Sequence, residues 1–191
     1  PEAAGGPPSL AVVMLARDEE PLLRRHLPAW RGLADCFVVG VDARSRDASG
    51  AAAQELLAPK PVETFSLQFE GFGPAKSELL QRAHQRFPGV EYLLLVEPDM
   101  MPVPETFDRA ALSGRELVYA IRRSGKASRG ARLADSVFRN DGRWRFEFRV
   151  HETPVYRREP GGPGVPTEVR DSGWAVVELE GSVRDGQPLS G

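Results

Sequence analysis

The stretch Tyr92-Leu93-Leu94-Leu95-Val96, which runs directly into Glu97-Pro98-Asp99, is the clearest indication of the fold class. Five consecutive apolar residues that end at a turn signal are typical of a strand buried on both faces, as in a parallel sheet. Towards the N-terminus, three further stretches are predicted to be strands, at residues 62–67, 37–41 and 10–15. The N-terminal half therefore predicts four strands of one sheet.

Helical patterns separate these four strands. Apolar residues at helical spacing follow Pro21, Ser49 is a candidate N-cap for a helix over residues 50–58, and Pro74 can occupy the first turn of a third helix. Strands and helices that alternate in this way predict a parallel sheet with helices on both faces. The predicted fold class is α/β, with an open, mostly parallel, Rossmann-related sheet flanked by helices.

The C-terminal half has a different pattern. Residues 117–121 are predicted to form a strand, and residues 144–151 alternate apolar and polar side chains without a break. Such alternation is typical of a strand with one buried face, so we expect a small antiparallel β portion. A loop rich in Gly and Pro at residues 159–164 and a strand at residues 174–179 follow.

The domain organisation predicted from these patterns is simple. We expect a flexible leader over residues 1–8 and one catalytic domain over residues 9–158. Residues 159–191 are expected to supply a loop and a terminal strand that pack on the same domain. The sequence lacks an initiator Met, which favours a processed form or an excised piece of a longer chain.

Composition limits the class of function. A formal net charge of −2 over 191 residues argues against a general nucleic-acid-binding protein, which is usually strongly basic. No apolar run approaches the roughly 18 residues needed to span a membrane. The single Cys36 lies in an apolar run and is predicted to be a buried free thiol, which is compatible with a cytoplasmic location.

Acidic residues follow three of the predicted strands. They lie at residues 18–20, at residues 42–47, and at Glu97 and Asp99. An open parallel sheet binds its ligand at the carboxyl ends of its strands, so these acids are expected to meet at one edge. The alternative for each cluster is a helix cap or a solvated turn.

Glu97 and Asp99 form the sharpest local signal. In an extended chain, side chains two residues apart point the same way, so both carboxylates could face one divalent cation. Oxygen ligands suit magnesium or manganese, and such an ion can bridge to phosphate oxygens. Because Pro98 is a turn former, a plain turn is the alternative.

Two further candidates lie near the end of the alternating stretch. His151 falls on its polar face and could be a ligand of a manganese-type ion, with a surface histidine as the alternative. Glu152 follows as a candidate general base, and Glu147 shares the face with His151. Residues 122–132 carry five cations and no acid before Asp135, and they could either cover a diphosphate or form a mobile solvated loop.

Together these segments resemble glycosyltransferase family 2, whose members have the GT-A fold. The first strand followed by residues 16–20 is similar to that family's strand with an acidic ending, and residues 41–49 resemble its Asp-x-x-Ser-x-Asp-x-Ser/Thr motif. Residues 71–77 resemble a Gly-containing turn before a helix, and Glu97-Pro98-Asp99 takes the place of its Asp-x-Asp motif. The tail over residues 137–152 resembles a subgroup with a late His-Glu pair.

The resemblance implies an enzyme that transfers a sugar from a nucleotide-sugar donor, UDP-sugar favoured over GDP-sugar, to a hydroxyl acceptor with inversion. The acceptor could be a glycan, a protein or a small molecule, and Mn²⁺ or Mg²⁺ would neutralise the diphosphate leaving group. The implied roles are nucleotide contacts from Asp18, Glu19, Asp42, Lys76 and Glu97, metal contacts from Asp99, Glu97 and His151, and a general base supplied by Glu152 or, second, Glu147.

Two other functions remain open at this point. A nucleotidyltransferase of similar fold usually follows its first strand with a Gly-rich, basic loop that holds a triphosphate. Residues 16–20 contain no glycine and three acids, which disfavours that reaction. A non-catalytic nucleotide-binding module with the same fold is the second alternative, because fold alone does not fix function.

Overall fold

The structure is a computed structural model that describes residues 7–114, 116–125, 132–148, 152–158, 162–164 and 169–179. Three α-helices are described, with two short 3₁₀ helices at Pro104–Thr106 and Arg109–Gly114. The helices are α1 (Glu20–Trp30), α2 (Ser49–Leu57) and α3 (Phe72–Arg86). The strands are β1 (Leu10–Ala16), β2 (Cys36–Asp42), β3 (Val62–Leu67), β4 (Tyr92–Val96), β5 (Met100–Pro102), β6 (Val118–Gly125), β7 (Arg132–Arg139), β8 (Trp144–Glu147), β9 (Thr153–Arg158), β10 (Gly162–Gly164) and β11 (Arg170–Glu178).

The main sheet has the order β3-β2-β1-β4-β7-β6-β11-β5. Its first four strands are parallel, β7 runs antiparallel to both β4 and β6, and β5 runs antiparallel to β11. A second sheet, β10-β9-β8, is small and antiparallel. The predicted fold class is therefore confirmed: an α/β fold with a mostly parallel sheet flanked by helices and a small antiparallel part near the C-terminus.

Both faces of the sheet are covered, which explains why its central strands are apolar throughout. On one face α1 packs through Leu23, Leu27 and Trp30, which recur at helical spacing and are fully buried. On the other face α3 packs through Leu79 and its neighbours. Cys36 is buried and free, as predicted, and burial raises the pKa of its thiol to about 11.

Several predicted elements differ from the structure at their ends. Ser49 is not an N-cap, because helix α2 begins at that residue and Asp47 accepts its N–H at 3.0 Å. The strand predicted over residues 144–151 ends at Glu147, because Phe148 has a φ of 69°, a left-handed conformation outside the strand region, and residues 149–151 lie outside the described residues. The predicted loop at residues 159–164 contains strand β10.

The strands missed by sequence analysis lie mainly in the C-terminal half. Strand β7 begins in the basic stretch, and its polar residues hide the apolar pattern of a buried strand. Strands β5 and β9 were not predicted either. The predicted terminal strand is confirmed as β11, which joins β6 to β5 in the main sheet. In the described part of the chain, no helix is both long enough and apolar enough to cross a bilayer.

Candidate functional site

The segment after β4 is a turn held by helix α1. The N–H of Met100 donates to the carbonyl oxygen of Glu97 at 3.0 Å, which closes the turn. Nδ1 of His26 lies 2.9 Å from the carbonyl oxygen of Pro98, and Nε1 of Trp30 donates to that of Met100 at 3.0 Å. Because a carbonyl only accepts, Nδ1 of His26 carries the proton in this contact. The premise of an extended chain at Glu97-Pro98-Asp99 is therefore wrong.

Glu97 faces a cluster of charges on β6 and β11. Its Oε1 lies 3.7 Å from Nη2 of Arg123, whose Nε donates to Oε1 of Glu178 at 2.8 Å. The Arg123 side chain is only 16% exposed, so these contacts form in a largely desolvated place. The neighbouring Arg122 is 58% exposed and pairs with Asp171 instead.

A cleft of about 370 Å³ opens beside this cluster. It lies where α3, the end of β4 and strands β6, β7 and β8 come together. Its mouth is partly apolar, since Leu133 lines it while being 57% exposed. The cleft is lined by Lys76, Leu95, Glu97, Met100, Arg123, Leu133, Ala134, Ser136, Phe146, Glu152 and Pro154.

Lys76 and Glu152 meet across the cleft as an ion pair. Their side chains are 14% and 17% exposed, so both charges are largely withdrawn from water. Nζ of Lys76 also lies 5.8 Å from the ring centroid of Phe72 and 5.6 Å from that of Phe146. A cation over two aromatic faces is held in position by their negative π surfaces.

A line of contacts leads from Lys76 to the end of β2. The rings of Phe72 and Phe69 meet edge to face, with centroids 5.1 Å apart. Cζ of Arg44 lies 5.6 Å from the Phe69 centroid, and Arg44 binds Asp42. We call these five residues, Asp42, Arg44, Phe69, Phe72 and Lys76, the rim.

Asp42 receives both arms of the Arg44 guanidinium. Nε of Arg44 donates to Oδ1 at 3.0 Å, Nη2 donates to Oδ2 at 2.7 Å, and the backbone N–H of Arg44 adds a bond to Oδ1 at 2.9 Å. The hydrogen bonds from Arg44 hold the pKa of the Asp42 carboxyl below its usual range, although burial acts in the opposite direction. Asp42 is 5% exposed, and the three hydrogen bonds from Arg44 hold its carboxylate in place.

The other acidic loops bind each other. Three side chains of the loop after β2 accept backbone N–H groups from the segment after β1. The N–H of Asp18 donates to Oγ of Ser45 at 3.0 Å, and the N–H of Glu19 donates to Oγ of Ser49 at 3.0 Å. The N–H of Glu20 donates to Oδ2 of Asp47 at 2.7 Å. In return, Asp18 Oδ1 accepts the N–H of Arg46 at 2.6 Å. Burial raises the pKa of Asp47, but its hydrogen bonds outweigh that effect and lower it. The motif over residues 41–49 thus joins two loops.

The predicted site residues fall into separate groups. Lys76, Glu97 and Glu152 line one cleft, and the rim connects them to Asp42. Asp18 and Glu19 lie in the loop after β1, where Glu19 is buried and Asp18 has a left-handed φ of 51°. Glu147 is exposed at the end of β8, Asp99 does not line the cleft, and His151 lies outside the described residues.

Sequence analysis did not identify Arg44, Phe69, Phe72 and Arg123 as individual site residues. Phe69 and Phe72 flank Gly71, whose φ of 134° only glycine adopts readily, so an aromatic pair around a glycine before a helix was an available signal. Arg123 lay within the basic stretch, but nothing in the local sequence separates it from Arg122. The two arginines differ in exposure and in their partners on β11, since Arg122 pairs with Asp171 and Arg123 with Glu178.

The described residues do not fit a metal ion on their own. Within the described ranges, no three His, Cys, Asp or Glu side chains come together in a way that could hold a metal ion. Glu97 lies beside Arg123, whose positive charge competes with a metal for that carboxylate. Of the predicted ligands, His151 lies outside these ranges.

The sequence matches no protein-family model and no curated protein sequence. A protein assigned as a nucleotide-diphospho-sugar transferase from Desulfovibrio desulfuricans is similar at 17% identity and a TM-score of 0.45, over 71% of this chain and 65% of that one. A mannosyltransferase from Pyrobaculum calidifontis, solved with GDP-Man and Mn²⁺, is similar at 17% identity and a TM-score of 0.46, over 63% and 36%. A 4-diphosphocytidyl-2C-methyl-D-erythritol synthase is similar at 11% identity and a TM-score of 0.46, over 72% and 77%.

This chain spans less than two thirds of the length of the first two of these proteins. Their likeness is too distant to carry an argument about the reaction.

Proposed function

We propose that the chain transfers a sugar from a nucleoside-diphosphate sugar to a hydroxyl acceptor. The observation that carries this proposal is the position of Lys76. Its ammonium stands where the rim meets the cleft, and it contacts two aromatic rings and the carboxylate of Glu152. A donor that lies along the rim brings its diphosphate to Lys76 and its sugar to the cleft.

Each part of the donor finds a matching group along this path. The rim begins at a fixed carboxylate and an aromatic face, Asp42 and Phe69, which suit the edge and the face of a nucleobase. Lys76 supplies a positive charge for the diphosphate, whose negative charge grows as the bond to the sugar breaks. The cleft beyond it has room for a sugar and carries polar groups, among them Glu97 and Ser136.

Glu152 is the proposed general base. As the acceptor oxygen forms its bond to the anomeric carbon, the bond from that carbon to the diphosphate oxygen breaks and its electron pair leaves with the diphosphate. The acceptor proton passes to the Glu152 carboxylate. One displacement of this kind inverts the anomeric configuration. Glu147, the second candidate, is exposed and does not line the cleft, so it is the weaker one.

The sequence-based hypothesis also includes Mn²⁺ or Mg²⁺ and favours a UDP-sugar over a GDP-sugar. When bound, such an ion would add a Lewis acid that neutralises the leaving diphosphate. Asp99, Glu97 and His151 are the residues named for it, and only the first two are described. The proposed sugar transfer does not depend on whether a metal ion is bound, nor on whether the nucleobase of the donor is uracil or guanine.

Calorimetric titration of UDP and GDP, each with and without Mn²⁺, tests the proposal. Wild-type protein is expected to bind at least one of the two nucleotides and, with the matching sugar nucleotide and a suitable hydroxyl acceptor, to release the nucleoside diphosphate. An Asp99→Ala variant reports separately on the metal: loss of any Mn²⁺ effect in that variant supports the metal hypothesis. Folded protein that binds neither nucleotide would contradict the proposed function, and binding without sugar transfer would indicate a non-catalytic module.

A further inference from the structure

We propose that the nucleobase of the donor is guanine. It would bind the Asp42 carboxylate at the position that the Arg44 guanidinium occupies in this structure. This inference rests on the proposed function and names the class of nucleotide. It comes from the contacts of one guanidinium group at the start of the rim. Arg44 makes the two kinds of contact that a bound base makes: hydrogen bonds from its edge and a contact from its face.

The edge contact is specific in its pattern. Two N–H donors of one flat group, Nε and Nη2 of Arg44, reach the two oxygens of one carboxylate at 3.0 and 2.7 Å. This fork is the geometry in which a carboxylate binds a guanidinium most strongly. The Watson–Crick edge of guanine presents the same arrangement, because its N1–H and its exocyclic amino group are adjacent donors on one planar ring system.

The other common bases do not present this pattern to a carboxylate. Uracil offers one N–H between two carbonyl oxygens, which repel the second carboxylate oxygen. Adenine and cytosine each offer a single amino group beside an unprotonated ring nitrogen. A fixed carboxylate therefore distinguishes guanine from the other three by one full hydrogen bond and by the absence of a repulsive contact.

Asp42 is fixed well enough to make this distinction. It is the last residue of β2, its Cα pairs with Leu67 of β3, and its carbonyl oxygen accepts the N–H of Ser45 at 2.8 Å. The side chain is 5% exposed. Arg17 lies nearby, with Nε 3.9 Å from Oδ2, so a positive charge remains beside the carboxylate when Arg44 moves.

The Arg44 side chain is free to rotate away from Asp42, which leaves the ring of Phe69 in place for a nucleobase. The Arg44 side chain is 53% exposed and its guanidinium has only Asp42 and the Phe69 ring as described contacts. Rotation of its flexible stem into solvent exposes the carboxylate edge and the aromatic face together. A base that enters there stacks on Phe69 while its edge meets Asp42, and stacking on an aromatic side chain tolerates any base, so Asp42 sets the specificity.

Replacing one carboxylate oxygen of Asp42 with an amino group, as in Asp42→Asn, tests the recognition of guanine. Wild-type protein and the Asp42→Asn variant are titrated with GDP, UDP, ADP and xanthosine diphosphate, with Asp171→Asn as a control that removes an exposed carboxylate paired to an arginine elsewhere. We expect wild-type protein to prefer GDP over UDP and ADP by about ten- to hundredfold. Because an amide pairs with the N–H and carbonyl edge of xanthine, Asp42→Asn is expected to prefer xanthosine diphosphate over GDP.

The outcomes separate the two proposals. Wild-type protein that binds UDP or ADP as tightly as GDP overturns the guanine assignment and leaves the proposed function standing. Absence of binding to all four nucleotides contradicts the proposed function itself. Should Asp42→Asn fail to fold, Arg44→Ala gives the second test: GDP affinity that rises or stays unchanged supports displacement of Arg44, whereas a tenfold loss shows that Arg44 is itself a ligand contact and overturns the assignment.

Discussion

Lys76 of helix α3 is paired with Glu152, 76 positions further along the chain, at the junction of the rim and the cleft. The same ammonium cannot give its full charge to this carboxylate and to a diphosphate. A donor that binds along the rim therefore competes with Glu152 for Lys76. As the lysine turns to the diphosphate, the carboxylate becomes available to the acceptor, so we expect the donor to bind before the acceptor.

Replacing Lys76 with methionine is expected to weaken nucleoside diphosphate binding roughly tenfold or more, because the methionine keeps the apolar stem between Phe72 and Phe146 and removes only the charge. Calorimetry measures the affinity. Lys60→Met is the matched control, since Lys60 donates to the carbonyl oxygen of Ala34 in a different part of the fold. Equal affinities for both variants and the wild type would remove Lys76 from the diphosphate site.

The two candidate bases are separated by paired substitutions. Glu152→Gln is expected to reduce sugar transfer by roughly 10²- to 10⁴-fold while nucleotide affinity is kept or improved, because the neutral amide no longer competes for Lys76. Glu147→Gln, on the exposed end of β8, is expected to leave the transfer rate unchanged. The opposite pattern, a loss in Glu147→Gln alone, would assign the base to Glu147.

Adjacent arginines on β6 are expected to differ in their contribution to stability. Arg123→Gln removes the cation that Glu97 and Glu178 share in a largely buried place, while the exposed Arg132 still contacts Glu178, and we expect it to lower the free energy of unfolding by about 2 kcal/mol. Arg122→Gln breaks an exposed pair with Asp171 and is expected to cost about 1 kcal/mol or less. Urea denaturation measures both, and a larger loss in Arg122→Gln would contradict the pairing described here.

The Asp42–Arg44 pair is expected to make stability depend on pH in the acid range. The pKa of Asp42 is lower in the folded than in the unfolded chain, so its contribution is fully present above the usual aspartate range, near about pH 4, and is lost as the pH falls through the folded value. Asp42→Asn is therefore expected to be less stable than wild type at pH 7. The difference should shrink below about pH 4; a difference that stays constant down to pH 2 would show that the charge of Asp42 is not responsible.

The three inner parallel strands, β1, β2 and β4, were predictable because helices cover both of their faces. A strand in that position must be apolar along its whole length, so Tyr92–Val96 and its counterparts stand out in the sequence. The carboxyl ends of those strands then locate Asp42 and Glu97 without further information. Strand β7 was not predictable in this way, because its polar residues and the basic stretch before it resemble a loop.

The pairings that define the site depend on contacts between distant segments. Lys76 was named by its motif, but its pairing with Glu152 requires the small sheet to fold back over α3. Asp42 was expected to face a ligand, and the structure shows that Arg44, two residues on, occupies its carboxylate. The turn at Glu97-Pro98-Asp99 was open to either interpretation until the contacts from His26 and Trp30 were known.

A crystal structure of the protein with GDP bound would show whether the nucleotide lies along the rim. We expect the nucleobase on Phe69 with its edge at Asp42, the Arg44 guanidinium displaced, and a diphosphate oxygen within hydrogen-bond distance of Nζ of Lys76. A nucleotide bound elsewhere on the molecule, or one bound with the Lys76–Glu152 and Arg44–Asp42 pairs both intact, would contradict this expectation.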